Sequence, residues 1–125
     1  MIEFSLAGLH ILVVEDEYLI ADDVKDALHD RGAIVLGPVP TVEEAMKVVV
    51  EGGHIDAAML DINLRGTMVF DVADALWDRH IPFIFATGYD DSGIPERFGA
   101  APRIEKPIKA RHISHAFEAI LKDGR

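Results

Sequence analysis

Four apolar stretches of strand length in this chain each stop at a residue able to do chemistry. Leu9–Val14 stops at Glu15 and Asp16, and Ala57–Leu60 stops at Asp61. Phe83–Ala86 runs to Thr87, and the short stretch Arg103–Glu105 runs to Lys106 and Pro107. In an open parallel sheet, ligand chemistry gathers beyond the carboxyl ends of the strands. Three carboxylates, a hydroxyl and an ammonium are therefore expected in one crevice. Two carboxylates about 5 Å apart at an effective dielectric of ~20 repel by roughly 3 kcal/mol. Three together call for a proton or a cation, and a hard dication with oxygen ligands answers that need. Such a set suits a divalent cation and a phosphoryl group.

The elements that must hold these residues alternate along the chain. After the first strand, Ile20, Val24, Ala27 and Leu28 recur at helical spacing, and Gly32 follows as a left-handed cap. A second strand, Ala33–Leu36, ends at Gly37 and Pro38 and carries no chemistry. Thr41 with Glu44 is a capping-box signal for a helix to about Val50, closed by Gly52 and Gly53. Asp61 is followed by a loop holding Gly66, and then by a helix with Val69, Val72, Ala73 and Leu76 on one face. The stretch 90–101 supports a short helix near Glu96 at most. A last helix, about Lys109–Leu121, sets Ile113, Ala116, Phe117, Ile120 and Leu121 on a stripe. Continuous apolar strands between amphipathic helices indicate an α/β fold with a parallel sheet covered on both faces. The order 2-1-3-4-5 is expected for its five strands. It places the first and third side by side, brings Glu15, Asp16 and Asp61 together, and leaves the chemically silent second strand at an edge.

Bulk properties narrow the function classes. At 125 residues the chain is expected to form one domain, 1–125, with a core of about 9–121. Half of its residues are hydrophobic, which excludes a disordered chain. A net charge of −10 argues against direct nucleic-acid binding, since phosphate backbones are held by Lys and Arg. Zero cysteines exclude disulfides and thiolate metal sites. Residues 1–8 lack the basic and apolar regions of a signal peptide, and no apolar run approaches the ~20 residues that cross a bilayer. A soluble, cytoplasmic protein is the expectation.

The chain resembles the receiver domain of two-component response regulators. The resemblance rests on ILVVED at 11–16, AAMLDINL at 57–64, FATG at 85–88 and EKP at 105–107. Each is weak alone, but the four in order at strand ends are specific, and the similarity runs from about Leu9 to Leu121. It implies a flavodoxin-like receiver fold in which Asp61 accepts a phosphoryl group from phosphohistidine, with Mg²⁺ as cofactor. By resemblance, Asp16 binds the metal directly, Glu15 through water, and Asn63 through its backbone carbonyl, with Asp61 completing the set. Lys106 pairs with Asp61 and later with a phosphoryl oxygen, and the Lys106–Pro107 bond is expected to be cis. Thr87 donates to the arriving phosphoryl group. The implied partners are a histidine kinase or histidine phosphotransfer protein and a downstream protein, with a homodimer compatible but not required. Such a receiver catalyses its own phosphorylation and dephosphorylation and is not otherwise an enzyme. FATGY at 85–89 further resembles a receiver subfamily whose kinases are of an atypical class.

Departures and rivals remain at this level. Many receivers carry Tyr or Phe three residues before the lysine, where this chain has Arg103, so Tyr89 or the 90–101 loop is expected to carry the signal. The run Glu15-Asp16-Glu17 also suits a helix N-terminus, where acid meets the dipole, and both roles can hold. His10 reads as a satisfied core or edge residue, and His112 and His115 as a solvated face. Trp77 and Phe98 read as packing. The start at Met1 and the short tail after Leu121 suggest a stand-alone receiver, with output by protein contact or phosphate shuttling. A receiver-like interaction module without phosphorylation shares the fold. A haloacid-dehalogenase-type phosphotransferase shares the strand-end Asp, but wants a second Asp where Asn63 stands.

Overall fold

The computed structural model describes residues 5–88 and 93–122. Along the chain run β1 (His10–Val14), α1 (Tyr18–Asp30), β2 (Ile34–Val39), α2 (Val42–Glu51) and β3 (Ala57–Asp61). Then come β4 (Asn63–Leu64), β5 (Thr67–Met68), α3 (Phe70–Asp78) and β6 (Phe83–Thr87). A 3₁₀ turn (Glu96–Phe98), β7 (Arg103–Glu105) and α4 (Ala110–Lys122) complete the series. Five strands form a parallel sheet in the order β2-β1-β3-β6-β7. Counted within that sheet, this is the expected order 2-1-3-4-5.

Alternation along the strands sorts the apolar residues onto two faces. Ile11, Val13, Ala57, Met59, Ile84 and Ala86 pack with Val24 and Leu28 of α1 and with Ile113, Phe117 and Ile120 of α4. Leu12, Val14, Ala58, Leu60, Phe83 and Phe85 pack on the other side with Ala45 and Val49 of α2 and Val72, Ala73 and Leu76 of α3. The chain steps one way from β1 to β2 and the other way from β2 to β3. Right-handed crossovers therefore put α1 on one face and α2 and α3 on the other. Each fully buried Leu, Ile or Phe contributes about 1.5–3 kcal/mol. These two layers therefore fix where the strand ends lie. The Thr41 hydroxyl accepts the Glu44 N–H at 3.1 Å, as the capping signal predicts.

Several expectations need correction. β2 does not stop before Gly37 but runs on through Pro38 to Val39. The ladder to β1 shifts between Leu12 and Val14, and Gly37 adopts φ +98 there. A Cβ at Gly37 would lie 2.7 Å from the Val39 nitrogen, so the bulge requires glycine. An edge strand tolerates the missing proline N–H. The loop after Asp61 is a small hairpin, with β4 antiparallel to β5. His10 is half-buried, and its Nδ1 has no hydrogen-bond partner among the described residues. Its backbone N–H donates to Asp56 at 2.8 Å, and its ring stands edge-on to His54.

Phe98 is buried against Phe70, Phe83 and Phe85, whereas Trp77 is half exposed rather than packed away. His112 and His115 are exposed. Tyr89 and the start of the 90–101 loop lie outside the described residues. Among those described, no helix is long and apolar enough to cross a membrane.

Candidate functional site

β1 and β3 are hydrogen-bonded neighbours with Val14 opposite Leu60, so the next residue on each is Glu15 and Asp61. Both are buried, because the sheet's carboxyl edge is sunk between the helix layers. Carboxylate oxygens of Glu15, Asp16 and Asp61 lie within 4.8 Å of one another. Three hard oxygen donors converging in a half-enclosed crevice fit a divalent cation of the Mg²⁺ type.

Lys106 enters from β7. Its Nζ lies 3.3 Å from Glu15 Oε1, 3.4 Å from Asp61 Oδ1 and 3.3 Å from Glu17 Oε1. Its backbone N–H donates to the Thr87 carbonyl at 2.9 Å, which fixes the end of β7 beside the end of β6. The Lys106–Pro107 bond is cis, as expected, and so is Gly37–Pro38, which the sequence did not signal.

Thr87 follows Ala86, the residue paired with Asp61. Its buried hydroxyl donates to the Ile104 carbonyl across 3.5 Å, a weak bond at the limit of hydrogen-bonding distance. Asn63 sits on β4, and its side-chain oxygen accepts the Gly66 N–H at 2.6 Å. That side chain serves the turn rather than the acid trio.

No family model matches the chain. The Phyllosphere-induced regulator PhyR of Methylorubrum extorquens is 36% identical over 119 residues, 89% of this chain and 43% of PhyR. The chain spans a little under half the length of the curated relatives it matches. A response regulator receiver protein from Sinorhizobium medicae superposes with a TM-score of 0.78 at 24% identity, over 97% of this chain and all of that one. SdrG from Sphingomonas melonis is 43% identical with a TM-score of 0.81, over 94% of this chain and 99% of its own. The chain belongs to the response regulator receiver family.

In this receiver the electrostatics of the crevice oppose a naked carboxylate. Burial, with the Glu15 carboxylate alongside, pushes the Asp61 pKa up to about 8 despite Lys106. Burial also works against the Lys106 ammonium, yet the Asp61 and Glu15 carboxylates raise its pKa above that of a free lysine. The cation therefore stays charged, and Asp61 holds its proton more tightly than a free aspartate does.

Two groups at the receiver's crevice escaped the sequence reading as site residues. Glu17 contacts Lys106, and its own N–H donates to Glu15 Oε2 at 3.1 Å. The acid run at the head of α1 was the available signal, but it reads equally well as dipole compensation. Arg65, at the hairpin tip, places Nε 3.4 Å from Asp16 Oδ2. Arg103, in the usual aromatic position, donates to the Phe98 and Gly99 carbonyls at 3.5 and 3.4 Å. It thereby ties β7 to the 3₁₀ turn.

Proposed function

We propose that this receiver takes a phosphoryl group from a phosphohistidine onto Asp61 in a Mg²⁺-dependent reaction and thereby switches protein contacts. The observation that carries the reading is the Lys106 ammonium, held within 3.4 Å of both Asp61 and Glu15 at one strand-end crevice. Asp16, Glu15, Asp61 and the backbone carbonyl of Asn63 would hold the metal, which would supply positive charge to offset that of the phosphoryl oxygens. An Asp61 oxygen attacks phosphorus, the P–O bond forms, the P–N bond breaks, and the imidazole leaves and takes up a proton. Lys106 then exchanges a carboxylate partner for a phosphoryl oxygen. The Thr87 hydroxyl abandons its long bond to Ile104 and donates to the phosphoryl group, drawing the β6 end and the following loop with it.

The partners are a histidine kinase or histidine phosphotransfer protein on the donor side and a downstream protein on the output side. No direct nucleic-acid or membrane contact is part of the reading, and a homodimer is compatible with it. Residues 1–125 act as a single receiver unit in the cytoplasm. Membership of the FATGY subfamily draws support from FATGY at 85–89.

Intact mass after incubation with acetyl phosphate tests this. One added phosphoryl group is expected in wild type with Mg²⁺, and none with Asp61→Asn or with excess chelator. A wild-type chain that stays unmodified by acetyl phosphate and by a phosphorylated kinase would leave an interaction module as the reading.

A further inference from the structure

Arg65 occupies a position that its residue type does not favour. The turn between β4 and β5 consists of Arg65 at φ 53 and Gly66 at φ 93, so both central residues are left-handed. Two-residue hairpins of this kind select Asn-Gly or Asp-Gly, because a short polar side chain tolerates the left-handed region better than a long one. A local rule broken without gain to the fold points to another use of the side chain. Arg65 itself is 82% exposed and contributes nothing to the core. What it does contribute is a guanidinium reaching back to Asp16, whose side chain is 8% exposed, at 3.4 Å.

We propose that Arg65 is a tethered counter-ion that competes with the divalent cation for Asp16, and so sets the cation concentration at which the crevice loads. The inference rests on reading Glu15, Asp16 and Asp61 as metal ligands. The hairpin begins two residues after Asp61, so the guanidinium is delivered by the segment that directly follows the proposed phosphoacceptor. Lys106 already neutralises the Glu15 and Asp61 side of the crevice, and Arg65 takes the Asp16 side. A dication entering there must displace the guanidinium and bear its repulsion. An exposed ion pair is worth up to about a fivefold change in an equilibrium constant, and the lost repulsion adds to it.

Calorimetric titration of Mg²⁺ into wild type, Arg65→Asn, Arg65→Lys and Asp16→Asn tests this. Arg65→Asn restores the preferred turn residue while removing the charge, so a changed affinity does not come from a damaged hairpin. It is expected to bind Mg²⁺ roughly three- to tenfold more tightly than wild type. Arg65→Lys should fall closer to wild type. In wild type, the Arg65 Nε–H resonance should shift along the same saturation curve as the calorimetric one. If Arg65→Asn stays within about twofold of wild type, or binds more weakly, while Asp16→Asn abolishes binding, Arg65 is no competitor and the metal reading stands. If neither wild type nor Arg65→Asn takes up Mg²⁺ at all, the metal reading fails and takes this inference with it.

Discussion

The Lys106 ammonium lies 3.4 Å from an Asp61 carboxylate oxygen, although β7 and β3 are separated in the sheet by β6. The long side chain crosses the end of the intervening strand, so the charge that serves Asp61 comes from a strand that does not pair with its own. Replacing Lys106 with Met leaves Glu15 and Asp61 facing each other without that cation. A loss of about 1–3 kcal/mol is expected at pH 8 in Mg²⁺-free buffer, by urea denaturation. Mg²⁺ should raise the melting temperature of this variant more than that of wild type. A variant as stable as wild type would mean the ion pairs carry no net weight.

Asp61 makes stability depend on pH with a definite sign. Its native pKa, about 8, stands above the unfolded value, so the fold prefers the protonated acid. Its contribution is complete below the unfolded pKa of about 4 and is lost as pH climbs through the native value. Asp61→Asn removes that loss. Without Mg²⁺, the variant should exceed wild type by about 1–3 kcal/mol at pH 8 and by much less at pH 5. Parallel pH profiles for the two proteins would contradict the assignment.

Thr87 should matter to the switch and little to the fold. Its bond to Ile104 is at the distance limit, so Thr87→Ala is expected to cost no more than about 1 kcal/mol. With beryllofluoride and Mg²⁺ as a phosphoryl mimic, wild-type amide shifts should spread from β6 into β7. In the variant they should stay at the Asp61 end of β3. Identical spectral changes in both proteins would exclude the hydroxyl as the link.

Arg103 takes the place of an aromatic ring with a pair of hydrogen bonds to the 3₁₀ turn. The amides of Phe98, Gly99 and Ala101 are bonded within that same segment. Arg103→Ala should speed their hydrogen exchange by about three- to tenfold while changing global stability by less than about 1 kcal/mol. Unchanged exchange at those amides would show that the guanidinium restrains nothing.

Much of the site was readable because strand ends announce themselves. Leu9–Val14 and Ala57–Leu60 are unbroken apolar runs that stop abruptly at acid, and a doubly covered parallel sheet requires such runs. What stayed hidden was set by tertiary geometry. Strands of two residues, such as Asn63–Leu64, are too short for a period, and Arg-Gly lacks the usual hairpin signature. Pro38 looked like a terminator because the bulge that absorbs it depends on pairing with β1. Glu17 and Arg65 reach their partners through side-chain direction, which spacing alone does not encode. The exposure of Trp77 likewise depends on how α3 is rotated, which its place between Leu76 and Asp78 does not decide.

The irregular end of β2 bears on how copies of this molecule meet one another. A foreign strand seeking a continuous row of donors along that rim encounters a proline and a left-handed glycine within its last three residues. Template-driven sheet growth, the usual hazard of an uncovered border, is thereby discouraged. On that border, crowded molecules are left to meet through side chains and not through backbone zippering.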